Sequence, residues 1–503
     1  MNAPVLWVIF PALLSLFLLA AHYHPRVTYW IGSSLVVLLA LLAWLLPMTP
    51  GSRLGPIPLY LNPTMTFLGR TLTLDAGDRP FLMLVYSLAG MWFIGSRIGR
   101  ANQLFIPAGL GMVAFLVAAV AVEPFLYAAL FIEIAVLISI PLLSPPGQKI
   151  YPGILRYLIF QTLGMPFILF TGWMLTGVES GSAAPELTSR AGMLLALGFA
   201  FLLAVFPFYT WIPLLTEKAQ PYVAGFVLSV LPTVVLLFGL NFLDRYAWIR
   251  DSANLYVGLR LIGALMVVTG GLWAAFQNHL GRMFGYGVIV ETGFSLLAIS
   301  LTRQGGLALF ALLLLPRLLG FAVWTLCLAI AEHETGSLKL DQLRGFGRYF
   351  PMVTAGLVAS HLSIAGLPLL ADFPVKQALL NGIAQQSGTE AYWILAGSFG
   401  LMVAALRSLA VFLQSQEAPV EEIQPVEEVV LVLLDSGLEP ATAPSPEAAA
   451  VPRIQAFQAQ ETTAEMVLVG IGILVLVIAG IFPHLFQPSV LNILKPFTHL
   501  PIP

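Results

Sequence analysis

The chain has 503 residues, 58% hydrophobic and 10% charged, with a net charge of −2. Soluble domains carry about a quarter charged residues, so this composition excludes a soluble globular domain and reads as an all-α, polytopic membrane protein embedded in a lipid bilayer. The charge balance singles out no charged partner, and no nucleic acid is expected.

A membrane-crossing helix needs about 20 predominantly apolar residues. About fourteen such stretches succeed one another. They centre near residues 13, 38, 90, 113, 133, 165, 200, 232, 266, 293 and 318, then an interrupted region at 352–385, then 402 and 475. The first, "MNAPVLWVIFPALLSLFLLAAHYHPR", has no positive residue before its apolar run. It reads as a retained helix with its N-terminus outside. Residues 1–103 hold three helices and a Pro/Gly-containing outer segment, 49–80, whose weak alternation suits a hairpin. Residues 104–245 and 256–414 form two similarly placed five-helix stretches. Residues 415–465 are rich in Ala, Pro and Glu, with ten acidic residues against the single Arg453. Such a segment buries no core and is expected to be a disordered loop. Residues 466–503 hold the last helix and a tail.

The single cysteine, Cys327, excludes an intrachain disulfide, a cysteine zinc site and an iron–sulfur cluster held by this chain alone. There is no Gly-rich nucleotide loop of the Rossmann or P-loop type. No cofactor or metal is therefore expected on this chain, and any redox chemistry coupled to it belongs to other subunits.

An ionisable side chain at mid-span costs about 2.5–3.5 kcal/mol on insertion scales, so each one demands a reason. Glu133 is central in "FLYAALFIEIAVLISIPLL", and Arg317 is central in "GLALFALLLLPRLLGFAVWTLCLAI". Glu291 lies well inside "FGYGVIVETGFSLLAIS", and Lys376 follows Asp372 by four residues in "IAGLPLLADFPVK". The structural reading of each is a buried ion pair or an end residue reaching for the interface. The functional reading is proton transfer, open to Glu and Lys but not to Arg, which stays charged and biases its neighbours.

Prolines add a second signal. Pro207, and the pair Pro368 and Pro374, interrupt apolar runs, freeing backbone groups at membrane depth. Such breaks are tolerated where protein or water satisfies the freed groups. Paired breaks in corresponding positions of two halves point to inverted repeats with an ion site near the midplane.

Several stretches resemble the antiporter-like membrane subunits of respiratory complex I. "FPFYTWIPLLTEKAQPYV" is similar to P-F-H-x-W-L-P…E-x-A-P-x-P-V, and "LGRMFGYGVIVETGFSLLAISL" to K-R-x-x-A-Y-S-S-I-x-H-x-G. "LRGFGRYFPM" is similar to L-x-G-L-x-x-x-x-P, and "LSIAGLPLLADFPVK" to S-L-x-G-I-P-P-x-x-G-F-x-x-K. The resemblance covers about residues 104–414 plus the last helix, where "AGIFP" also fits, and it is closest to the N- or M-type subunits.

The resemblance implies fourteen helices in two inverted five-helix repeats, with helices seven and twelve broken. It implies a mid-membrane proton line in which the helix-five glutamate falls on Glu133 and the helix-twelve lysine on Lys376. Two lysines of that line are absent: their positions are Leu202 and, near the second, Pro232. Tyr209 and Glu291 stand where the family has histidines. Glu291, Arg317 and Asp372 are candidates to complete the line on other helices. The implied function is a membrane-arm subunit of a proton-translocating NADH:quinone oxidoreductase in a bacterial plasma membrane. NADH, FMN, iron–sulfur clusters and quinone would sit on partner subunits, with no catalytic redox centre here. A subunit of a multisubunit Na+/H+ antiporter or membrane-bound hydrogenase is an alternative, and a non-pumping scaffold in the membrane arm is another.

Overall fold

The computed structural model describes residues 2–46, 48, 53–54, 57–58, 61–67, 69–147, 149–175, 185–414 and 460–501. The chain is predominantly helical. Helices α1 (Phe10–Ala20) and α2 (Pro25–Leu45) precede a small set of strands in the outer segment. There β1 (Arg53–Leu54) pairs with β2 (Ile57–Pro58), and β3 (Thr64–Phe67) forms an antiparallel hairpin with β4 (Arg70–Thr73). A short strand, β5 (Val122–Glu123), adds to β4 from further along the chain. The hairpin fits the alternation read in 49–80, and these strands are an addition to the otherwise helical architecture.

Helix α3 (Arg79–Gly95) is followed by α4 (Phe105–Ala121), α5 (Ala128–Leu143), α6 (Pro152–Met174), α7 (Pro185–Leu202), α8 (Trp211–Lys218) and α9 (Pro221–Arg245). A short α10 (Ala247–Arg250) leads to α11 (Ala253–Ala275), α12 (Leu280–Ser300) and α13 (Gly306–Thr335). Then come α14 (Phe346–Tyr349), α15 (Pro351–Ala365), α16 (Phe373–Ala384) and α17 (Gly388–Leu413). The described chain ends with α18 (Thr463–Ile481) and α19 (Gln487–Leu491). Each apolar centre read from the sequence falls on a helix. Among the described residues nine helices are long and apolar enough to cross a membrane, and shorter apolar helices accompany them.

Helices α9 and α12 lie in the interior, with 89% and 94% of their most apolar windows buried. By contrast α18, at 22%, lies at the periphery and presents its apolar surface outward. α11 packs against α17 through glycines: a Cβ at Gly271 would strike the Gly397 carbonyl. Close backbone approach between small residues is a usual basis of helix association where lipid removes the hydrophobic drive.

α7 stops at Leu202 and α8 starts at Trp211, with Ala204 at φ 50° and Pro207 in the gap between them. α15 stops at Ala365, where Gly366 takes φ 83° and returns its N–H to the Ser363 carbonyl at 2.8 Å. That is a glycine C-cap, the commonest way to end a helix. Pro368 lies inside this second gap. Pro374 lies in the first turn of α16, where a missing N–H costs no hydrogen bond. It starts the second half of the broken element and lies outside the gap.

α18 begins at Thr463 with a capping box: the Thr462 side chain accepts from the Glu465 N–H, and Glu465 reaches back to the Thr462 N–H. The helix therefore starts inside the segment 415–465 assigned to the acidic loop. The rest of that segment, 415–459, lies outside the described residues.

Candidate functional site

Where α15 ends, the carbonyls of its last turn lose their intrahelical partners. One of them, Ile364 O, accepts a hydrogen bond from Lys376 Nζ at 2.5 Å. Lys376 is in the first turn of α16, set there by a backbone bond from its N–H to Asp372 O at 3.0 Å. Its ammonium also forms an ion pair with the Glu291 carboxylate of α12, lies 4.0 Å from Asp372 Oδ1 and stands 4.4 Å from the centre of the Phe294 ring. The break thus supplies a carbonyl, and the lysine uses it.

Asp372 is fully buried, and its Oδ2 accepts from Ser363 Oγ at 2.8 Å. Its Oδ1 and the Oε2 of Glu291 are buried without a hydrogen-bond partner among the described residues. Arg317 of α13 completes the group. Its Nη1 donates to Ser295 Oγ at 3.1 Å and its Nη2 to Thr233 Oγ1 at 2.6 Å. Ser295 in turn donates to the Glu291 carbonyl at 2.9 Å. Arg317 therefore ties α13 to α12 and, through Thr233, to α9. Two formal negative charges, Glu291 and Asp372, face two positive ones, Lys376 and Arg317. A buried set balanced in this way avoids the cost of an unpaired ion.

Glu133 belongs to a different set. It lies on α5 and accepts from Thr162 Oγ1 of α6 at 2.8 Å. Nearby on the same two helices, Ser139 and Tyr157 share a hydrogen bond of 2.8 Å. At the first break, the freed carbonyl of Leu202 accepts from Gln161 Nε2 at 3.0 Å. The Leu202 side chain itself is buried and apolar. The two breaks therefore solve one backbone problem in two ways: a neutral glutamine at the first, a charged lysine at the second.

All four mid-span ionisable residues named from sequence are turned inward: Glu133 is 8% exposed, Glu291 1%, Arg317 3% and Lys376 5%. Lys376, Glu291, Asp372 and Arg317 come together, while Glu133 stands with Thr162. Sequence reading did not single out Ser363, Ser295, Thr233, Thr162 or Gln161. Short polar residues in apolar helices are cheap and common, so they raise no alarm; the one usable signal was position, Ser295 four residues after Glu291 and Thr233 next to Pro232. Among the described residues no three His, Cys, Asp or Glu side chains converge as metal ligands.

Residues 174–403 match the family model described as "NADH:quinone oxidoreductase/Mrp antiporter, TM". NADH-quinone oxidoreductase subunit N of Ectopseudomonas mendocina is 29% identical over 266 residues, 48% of this chain and 51% of that protein. Subunit N 2 of Herpetosiphon aurantiacus is 28% identical over 271 residues, 50% of this chain and 49% of that one. NAD(P)H-quinone oxidoreductase chain 4-3 of a Nostoc species is 25% identical over 252 residues, 47% and 44% of the two chains. The chain spans about half the length of the curated relatives it matches.

The fold likeness extends further. A chain of the Mrp complex from Dietzia superposes with a TM-score of 0.78 at 16% identity, covering 99% of this chain and 97% of that one. A chain of respiratory complex I from Thermus thermophilus gives 0.71 at 17% identity, covering 98% of each. A chain of an archaeal membrane-bound sulfane sulfur reductase gives 0.74 at 14% identity, covering both completely. At such identities the likeness is one of fold. The succession of apolar helices makes this chain an integral, multi-pass membrane protein, and residues 174–403, with the motif segments they contain, are similar to the NADH:quinone oxidoreductase/Mrp antiporter membrane family.

Proposed function

We propose that this chain is an N- or M-like membrane-arm subunit of a complex I-like assembly, and that it conducts protons across the membrane. Glu291, Lys376 and Asp372 would pass the proton at the second break, Glu133 would serve the first half, and Arg317 would hold the charge balance. The observation that carries this reading is the buried Lys376–Glu291 pair beside a freed helix carbonyl. A lysine in such a place can release and regain its proton by exchanging it with the facing carboxylates.

In this reading the helices make fourteen crossings, with α7–α8 and α15–α16 each forming one broken crossing. The repeats are α4–α9 and α11–α17, and residues 1–103 and the last helix flank them. Electron transfer, with its nucleotide, flavin, clusters and quinone, belongs to partner subunits. The alternative placement, in a cation/proton antiporter or a hydrogenase-like complex, differs in which subunits co-purify with the chain.

A second reading, a scaffold that completes a membrane arm without pumping, draws on Leu202 and Pro232 at the two lysine positions. Substituting Lys376 separates the two. Lys376→Met removes the titrating group, and Lys376→Arg keeps a charge that does not leave. Conduction requires both variants to assemble and both to lose coupled proton translocation. A scaffold tolerates arginine, and wild-type translocation in both variants ends the transport reading.

A further inference from the structure

We propose that His361 is a further proton-carrying residue, feeding the Glu291–Lys376–Asp372 cluster from the side of the α12 and α15 N-termini. The proposal rests on the proton-conducting reading of that cluster. His361 is fully buried, and neither Nδ1 nor Nε2 has a hydrogen-bond partner among the described residues. A buried imidazole with both nitrogens unpaired is costly, and native interiors rarely keep such groups without a use.

Its position gives the use. His361 stacks on Trp324 of α13, ring centres 4.2 Å apart and planes at 25°. The Trp324 indole N–H is also unpartnered among the described residues. A Cβ on Gly287 of α12 would lie 2.9 Å from the Trp324 ring and 3.9 Å from the Ile364 side chain. Gly287, Trp324 and His361 therefore share one layer between three helices. Glu291 is four residues after Gly287, and Ile364, whose carbonyl holds Lys376, is three after His361. Residues three and four apart stand one above the other on a helix face. The His361 layer thus lies one turn, about 5.4 Å, from the charged layer.

That turn points toward the end where the backbone at His279, just before α12, forms an antiparallel bridge with the backbone at Lys339. Thr354, one heptad before His361 on α15, has its own buried and unpartnered hydroxyl, so the polar stripe continues toward the same end. Charged groups on the elements packed around α15 include Glu291 of α12, Arg317 and Glu332 of α13, Asp372 and Lys376 at the start of α16, Glu390 and Arg407 of α17, and Glu461 and Glu465 at the start of α18. Imidazole suits the step because one nitrogen accepts a proton while the other releases one, leaving the ring neutral in its second tautomer.

The test uses the assembled complex with His361→Gln, His361→Phe and His361→Glu, beside Lys376→Met. Phe keeps the stack on Trp324, Gln keeps a hydrogen-bonding side chain that does not titrate, and Glu restores a titrating group. The expected result is assembly of all three, tenfold or greater loss of proton translocation in Gln and Phe, and recovery of at least a third of it in Glu. Should Phe fail to assemble, Gln alone decides. Wild-type translocation in His361→Gln, with Lys376→Met inactive, overturns the role of His361 while leaving the cluster's role standing. Equal loss in Gln and Glu also overturns it, since a titrating group would then make no difference. Wild-type translocation in Lys376→Met overturns the cluster reading and this inference with it.

Discussion

Lys376 and Glu291, 85 positions apart in sequence, meet as an ion pair in the protein interior, both nearly inaccessible to solvent. Removing one member of a buried pair typically costs about 3–5 kcal/mol, because the remaining charge is left uncompensated. Glu291→Gln should fall at the low end of that range, since Asp372 still faces the ammonium at 4.0 Å. Lys376→Met should also be moderated, because a stranded carboxylate neutralises by taking up a proton. The double variant Glu291→Gln/Lys376→Met should then lose less than the sum of the two single losses. Thermal denaturation of the purified complex measures this, and strictly additive losses would show that the pair is not energetically coupled.

The α11–α17 seam gives a sharper stability contrast on one helix. Adding a methyl at Gly271 forces it into the Gly397 carbonyl, and backbone cannot swing aside as a side chain does. Gly271→Ala should cost at least the upper end of the usual overpacking range of about 1–3 kcal/mol. Gly258, earlier on the same helix, has nothing within 4 Å of an added Cβ. Gly258→Ala should be neutral or stabilising by about 0.5–1 kcal/mol, the cost of glycine in a helix. Comparable yields and melting points for both variants would contradict the close approach.

Outside the membrane spans, Asp78 before α3 makes stability depend on pH. Burial, opposed by the hydrogen bond from the Asp75 N–H and reinforced by the charges of Asp75 and Glu123, raises its pKa from 3.8 to about 7. The folded state therefore holds this proton where the unfolded chain has lost it. The contribution to stability is fully present below pH 3.8, declines as pH rises from there, and is gone above about 7. Asp78→Asn keeps an acceptor for the Asp75 N–H and removes the titration. It should be more stable than the wild type at neutral pH and show a flatter stability profile between the two values. Parallel profiles for both proteins would assign the pH dependence elsewhere.

How much of this was legible depended on what lipid penalises. Charges in apolar runs and prolines inside spans are expensive, so Glu133, Glu291, Arg317, Lys376 and the two breaks stood out from sequence. Which helix faces which is not written in hydropathy: α9 and α12 are apolar all round, so no face is marked. The pairing of Lys376 with Glu291 was therefore hidden. The four-residue spacing lets Asp372 and Lys376 pair only if a helical turn joins them; that turn forms, yet the ammonium sits nearer Glu291. Strand β5 was hidden too, because two residues are too few for an alternating pattern to register.

Arg317 offers the last prediction, because in the proposed reading it stays charged without moving a proton. Its guanidinium is held by two hydroxyls, Ser295 on α12 and Thr233 on α9, with no carboxylate within ion-pairing distance among the described residues. Thr233 adjoins Pro232, so the fixed positive charge reaches the region of α9 where the family resemblance places a lysine. Arg317→Met leaves Glu291 and Asp372 facing Lys376 alone, one negative charge in excess. The least costly response is for one carboxyl to keep a proton permanently. A site with a trapped proton conducts poorly, so translocation should fall while assembly persists. Arg317→Lys keeps the charge but not the planar fork that spans two hydroxyls, so it should retain more translocation than methionine and less than the wild type. Infrared spectroscopy of the assembled complex should show a protonated carboxyl band in Arg317→Met that disappears in Arg317→Met/Glu291→Gln or in Arg317→Met/Asp372→Asn, identifying which carboxyl holds the proton. Full translocation in Arg317→Met, with no such band, would mean that the guanidinium serves only to tie α13 to α9 and α12.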